Sequence, residues 1–193
     1  NLDAERPVIW DLGAIAASGD PKAPELFRQV MLASASIPVM FPPVLIEVEA
    51  DGQRYDEMHV DGGVASQVFL YPIGISWRNV MRKLGVPGKP DVYIIRNAPL
   101  APVYEEVRNK IMPIAVDAIN ALIRTQGIGD LYQIFLATKR DGLNYHLADI
   151  PASFTEEPTE TFDPVYMRKL FDLGRKMGRE GYPWAKAPPG YRP

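Results

Sequence analysis

Proline decides where this chain can be regular and where it cannot. Nineteen of the 193 residues are proline, and each one fixes its own φ and removes a backbone donor. Pro38, Pro42 and Pro43 forbid regular structure from Ile37 to Pro43, which reads as an ordered apolar loop. Pro183, Pro188, Pro189 and Pro193 exclude a helix from residues 183–193, which read as an extended arm along the surface. Elsewhere proline marks beginnings. Pro24 suits the first turn of a helix running to about Ala35, along which Leu26, Phe27, Val30, Met31 and Leu32 fall near helical spacing. Pro164 suits the first position of another helix, with Asp163 as its N-cap and Gly181 ending it after about Arg179.

Other elements follow from local pattern. Pro7 to Asp11 reads as a short buried strand. Val44–Ala50 and Arg54–Val60 read as two strands joined by Asp51-Gly52, a strong two-residue turn signal. A helix is expected from Ile75 to Leu84, with Ser76 as its N-cap and Gly85 at its end. Val92–Ile95 is a β-branched strand. From Tyr104 to Arg124 a long helical region carries Ile111, Ile114, Ala115, Ala118, Ile119 and Leu122 along one stripe, interrupted by Pro113, which should start a helix or kink one. Gly127 and Gly129 predict a break, Asp130–Thr138 a further helix, Asn144–Leu147 a late strand, and Phe154 to Pro164 a loop. Strands alternating with helices predict an α/β layered fold with one hairpin inserted. The length suggests one domain with a sizeable core.

Composition excludes several functions. The net charge of −3 gives no electrostatic footprint for nucleic acid. Without cysteine there are no disulfides, no thiolate catalysis and no cysteine-held metals. No apolar run reaches the roughly 18–20 residues that cross a bilayer. The two histidines, His59 and His146, lack the carboxylate spacing of a metal site, so neither metal nor cofactor is expected.

Two stretches carry chemistry. One is Ala33-Ser-Ala-Ser-Ile-Pro-Val-Met-Phe-Pro-Pro43. The other, Tyr55-Asp-Glu-Met-His-Val-Asp-Gly-Gly63, follows after a hairpin turn. Asp-Gly-Gly alone is weak. In this order and spacing the segments resemble the patatin family of lipid acyl hydrolases, and the Gly181–Gly190 stretch is similar to the end of its bacterial members. The resemblance spans most of the chain. It implies a patatin-like layered fold, present as its C-terminal portion and with an incomplete sheet, in which the hairpin leads into Asp-Gly-Gly. It also implies a Ser–Asp dyad acting on a lipid or other ester. There a serine attacks the ester carbonyl while an aspartate takes its proton and later activates water, with no histidine required. Asp61 matches the aspartate. Gly62 and Gly63 would let another loop approach closely. Ile37, Met40 and Phe41, with Val39, are candidates for the lip of an acyl pocket, set against ordinary packing.

The chain departs from the family in two places. It has no Gly-x-Ser-x-Gly; the nearest segment, Gly74-Ile75-Ser76-Trp77-Arg78, lacks the second glycine and follows Asp61, where the family's serine precedes it. The family's glycine-rich oxyanion loop, whose donors contribute about 10²–10³ in rate, is missing too. Since Asn1 reads as the middle of a longer chain, the expectation is an inactive half whose missing N-terminal portion supplies the serine. The alternative is a non-catalytic lipid- or protein-binding module. An envelope or secreted location is a family-level expectation, and an incomplete sheet invites self-association.

Lesser candidates remain. His59, two positions before Asp61, shares its strand face. It reads as a conceivable neighbour of the site, against a hydrogen-bonded strand histidine. Glu57 and Asp61 would share a face with Asp56 opposite, a pattern imaginable for sugar hydrolysis but usual for a solvated surface. Arg168, Lys169, Arg175, Lys176 and Arg179 could meet anionic lipid head groups, against a solvated helix face.

Overall fold

The structure, a computed structural model, describes residues 1–70, 75–101, 104, 106–160 and 162–192. It is a mixed α/β chain with two small open sheets, one antiparallel pair and one parallel pair. The chain divides into two compact units, Asn1–Gln67 and Val68–Pro193.

The first unit opens without the expected strand. Pro7–Trp10 has no strand partner, and its Ile9 is exposed. Asp11 instead caps a short helix, α1 (Leu12–Ala17), its Oδ1 accepting from Ala14 N–H at 2.8 Å. An apolar run becomes a buried strand only where a neighbour takes up its backbone groups. Helix α2 (Ala23–Ala33) holds Pro24 in its first turn and buries Val30 and Ala33. Residues 37–43 form turns, as the prolines require. Strands β1 (Val44–Ala50) and β2 (Gln53–His59) make an antiparallel hairpin with Val44 opposite His59. At its tip Asp51 and Gly52 both take positive φ, 53° and 72°. That is the backbone a tight hairpin turn demands, and aspartate and glycine tolerate it. Ile46 is buried beneath the hairpin.

The second unit is built on a parallel pair. Helix α3 (Trp77–Leu84) starts at the N-cap Ser76, and Asp141 Oδ2 accepts from Trp77 N–H at 2.9 Å. Gly85 ends it in the left-handed conformation. Strand β3 (Asp91–Pro99) pairs with β4 (Asn144–Ile150), Tyr93 beside His146 and Ile94 beside Leu147. Parallel strands need a crossover, here helix α4 (Ile111–Asp141).

Helix α4 corrects two expectations. It begins at Ile111 rather than Tyr104; of the two expectations for Pro113 the helix start holds, since it sits in the first turn, where a missing N–H breaks no helical bond. It then runs unbroken through Gly127 and Gly129. Each glycine costs about 1 kcal/mol relative to alanine. That cost is outweighed because the second half of the helix buries Leu131, Ile134 and Phe135 against Ile94, Tyr145 and Leu147. At Gly127 the missing side chain also makes room, since a Cβ there would sit 3.0–3.2 Å from the Arg96 guanidinium.

Helix α5 (Pro164–Glu180) has the expected start. Asp163 Oδ1 accepts from Val165 and Tyr166 N–H at 2.8 and 3.2 Å, and its Oδ2 accepts from Thr159 N–H and Oγ1. The tail forms no helix over residues 183–192, as its prolines require, and it is pinned to the second unit. Ala185 exchanges backbone bonds with Leu147 at 2.9 and 3.0 Å, Ala187 packs on the core, and the Tyr191 ring meets Phe135 at 4.7 Å.

Candidate functional site

Asp61 stands where β2 gives way to a single 3-10 turn, Gly62–Val64. Two hydrogen bonds hold it there. Its N–H donates to Ser36 O at 3.0 Å, which ties the hairpin's exit to the end of α2. Ser36 is itself buried, its Oγ donating to Leu32 O at 2.8 Å. The Asp61 Oδ1 accepts from Gly63 N–H at 2.7 Å. One carboxylate oxygen is thus committed to positioning, and among the described residues Oδ2 receives no hydrogen bond.

Gly63 is crowded. A Cβ there would lie 2.6 Å from Gln67 Nε2 and 3.0 Å from Asp61 Oδ1, whereas a Cβ on Gly62 would meet open space. Of these two, only Gly63 has a steric reason to be glycine. Gln67 closes the turn, its Nε2 donating to Gly63 O at 2.6 Å.

Asp61 lines a cavity of about 690 Å³ within the first unit, together with Leu2, Trp10, Val30, His59 and Val64. Its walls are mostly apolar, as small-molecule sites are, with Asn1, Glu5, Arg6 and Ser34 adding polar groups beside the carboxylate and imidazole. Ile37, Met40 and Phe41 do not line it; all three are exposed on the turn before β1.

The structure brings His59 and Asp61 to one cavity, as their spacing suggests. His59 is 4% exposed at the end of β2, with the Trp10 ring 5.8 Å away. It is not the hydrogen-bonded strand histidine that is the ordinary expectation. Its Nε2 is buried without a hydrogen-bond partner, and Glu57 Oε2 lies 3.5 Å away. Glu57 is already engaged by Asn1 Nδ2 at 2.7 Å. Asp56 lies opposite Glu47 in the hairpin register.

Ser76 is accounted for as a helix cap, its Oγ accepting from Asn79 N–H. Gly74, the start of the near-miss motif, lies outside the described residues. The five basic residues of α5 are exposed, and Lys169 pairs with Glu156 at 2.6 Å. Among the described residues no group of three acidic or histidine side chains could hold a metal ion, and no helix is long and apolar enough to cross a membrane.

A second polar cluster escaped the sequence. In the second unit Asp91, His146 and Lys186 meet in a chain of short contacts. Asp91 and His146 sit on β3 and β4, and only the parallel register brings them together. No local signal could have found them.

Compared with protein-family models, with curated proteins and with solved structures, the chain gives no match.

Proposed function

We propose that this chain supplies the general-base aspartate, Asp61, of a patatin-like Ser–Asp acyl hydrolase acting on lipid or other esters. The nucleophilic serine and the oxyanion donors come from outside residues 1–193. The observation that carries the reading is the anchoring of Asp61 at the rim of a mostly apolar cavity, one carboxylate oxygen braced by Gly63 N–H and the other without a hydrogen bond from the described residues. A base that must accept a serine proton needs that combination of fixed direction and spare lone pairs. The Ser36-Ile37-Pro38 and Phe41-Pro42-Pro43 segments add support, because Ser36 O is the acceptor that fixes the Asp61 backbone. The incomplete patatin-like layer belongs to the same proposal, with the exposed Ile95 side chain of β3 available to a completing segment.

The second reading, a binding module, rests on the first half of α4. There Ile111 is 85% and Leu122 70% exposed, an apolar face of the kind that marks interaction surfaces.

The test uses the polypeptide or complex that joins this chain to a Gly-x-Ser-x-Gly segment. With a p-nitrophenyl ester, Asp61→Ala is expected to lower turnover by about 10²–10⁴ with an unchanged circular dichroism spectrum. His59→Ala is expected to be mild. Undiminished turnover in Asp61→Ala would refute the assignment. Equal losses in both variants would replace the dyad with a triad.

A further inference from the structure

The Gly181–Gly190 stretch takes no part in the Asp61 site, yet it delivers a lysine to a buried histidine. Lys186 Nζ lies 2.6 Å from His146 Nδ1, and His146 Nε2 lies 2.7 Å from Asp91 Oδ1. The proton positions follow from chemistry. An ammonium donates and never accepts, so Nδ1 presents its lone pair to Lys186 and Nε2–H donates to the carboxylate. Asn144 Nδ2 donates to the same Asp91 oxygen at 3.0 Å. The His146 and Asn144 side chains hold Asp91 below the usual carboxylate range. The imidazole is nine-tenths buried, stacked on Tyr93 at 4.5 Å and 25°, with Trp184 edge-on at 6.4 Å. Lys186 itself is exposed.

This is a nucleophile, a base within hydrogen-bond reach, and a third group that orients the base. We propose that Lys186 is a reactive amine, served by an Asp91–His146 relay, that captures carbonyl compounds as imines. The exposed ring of Tyr93, with Trp184 at 5.0 Å, gives an aromatic shelf beside it, so the class of ligand is a planar or aromatic aldehyde.

The step balances without an oxidant or reductant. The ammonium passes one proton to His146 Nδ1, and Asp91 stabilises the imidazolium. The freed amine attacks the carbonyl carbon, and a proton moves from nitrogen to oxygen to give the carbinolamine. The imidazolium then protonates the hydroxyl, which leaves as water. A protonated imine remains, and His146 is neutral again. General-base assistance of this kind contributes about 10²–10⁴.

The experiment treats the full chain with substoichiometric pyridoxal, traps imines with borohydride and maps modified lysines by peptide mass spectrometry. Lys186 is expected to react at least ~10-fold faster than the exposed Lys83 and Lys176. His146→Gln should abolish that excess, and Asp91→Asn should reduce it severalfold. Lys186 reacting no faster than Lys176 in the natural chain would overturn the proposal, whatever the variants do. So would an undiminished excess in folded His146→Gln. Should that variant lose β4, Asp91→Asn decides: it keeps an acceptor for Nε2–H and removes only the charge.

Discussion

Gly127 and Gly129 lie two residues apart in one helix and should respond differently to the same substitution. Alanine in a helix interior is worth about 0.8–1.0 kcal/mol over glycine, and both positions have helical backbone. At Gly129 an added Cβ meets nothing within 4 Å, so Gly129→Ala should be stabilising by nearly the whole amount. At Gly127 it lands 3.0, 3.1 and 3.2 Å from three atoms of the Arg96 guanidinium. Ordinary contact requires that planar group to retreat by several tenths of an ångström. Arg96 Nη1 is buried without a partner, so retreat does not release a bond that other atoms would miss. It does press the group into close-packed surroundings, at about 1–3 kcal/mol for overpacking. The sum for Gly127→Ala runs from neutral to about 2 kcal/mol destabilising. Urea unfolding followed by tryptophan fluorescence, on both variants and the parent, reads the difference directly. If Gly127→Ala gains as much as Gly129→Ala, the guanidinium yields freely, and the steric account of that glycine is wrong.

Three further outcomes are expected. Gly63→Ala should push Gln67 and the Asp61 carboxylate out of place, so in the serine-complemented enzyme it should lower kcat, while Gly62→Ala should be nearly silent; equal effects would refute the steric distinction. The Thr159 and Tyr166 N–H groups, with the Thr159 hydroxyl, hold Asp163 down at about 2. Its folded value lies below its ordinary 3.8, so the stability it lends is complete above that pH and is lost as pH falls through about 2. Helicity measured from pH 5 downward should therefore decline less steeply in Asp163→Ala, which has no carboxylate to protonate. Burial pushes the Tyr145 phenol up, so absorbance titration should find one tyrosine ionising well after the exposed ones, and Tyr145→Phe should remove that late step.

What the sequence revealed was local. The hairpin was legible because Asp51-Gly52 carries its turn chemistry within two residues. The starts of α3 and α5 were legible because Ser76 and Asp163 bond to backbone only two or three residues ahead. The failures were decided at a distance. Gly127 and Gly129 look like a break until Ile94, Tyr145 and Leu147 are set against the other face of the helix. Pro7 to Asp11 looks like a strand until no strand lies beside it. The candidate site divides the same way. Asp61 was singled out by the resemblance its flanking motif carries and His59 by its spacing from Asp61, but the apolar walls of their cavity come from Leu2, Trp10 and Val30, and Ile37, Met40 and Phe41 do not line it. The Asp91–His146–Lys186 chain depends on two pairings across the sheet, which no periodicity within a single segment encodes.

The way the tail closes the second unit bears on how the protein is made. Ala185 pairs with Leu147, and Ala187 and Tyr191 finish the core around Phe135. At about 5–20 residues per second of synthesis, residues 143–184 are added over several seconds during which that core has no lid. Ile94, Phe135 and Leu147 spend the interval within reach of chaperones and proteases. The unit seals only once residues 185–191 have left the ribosome.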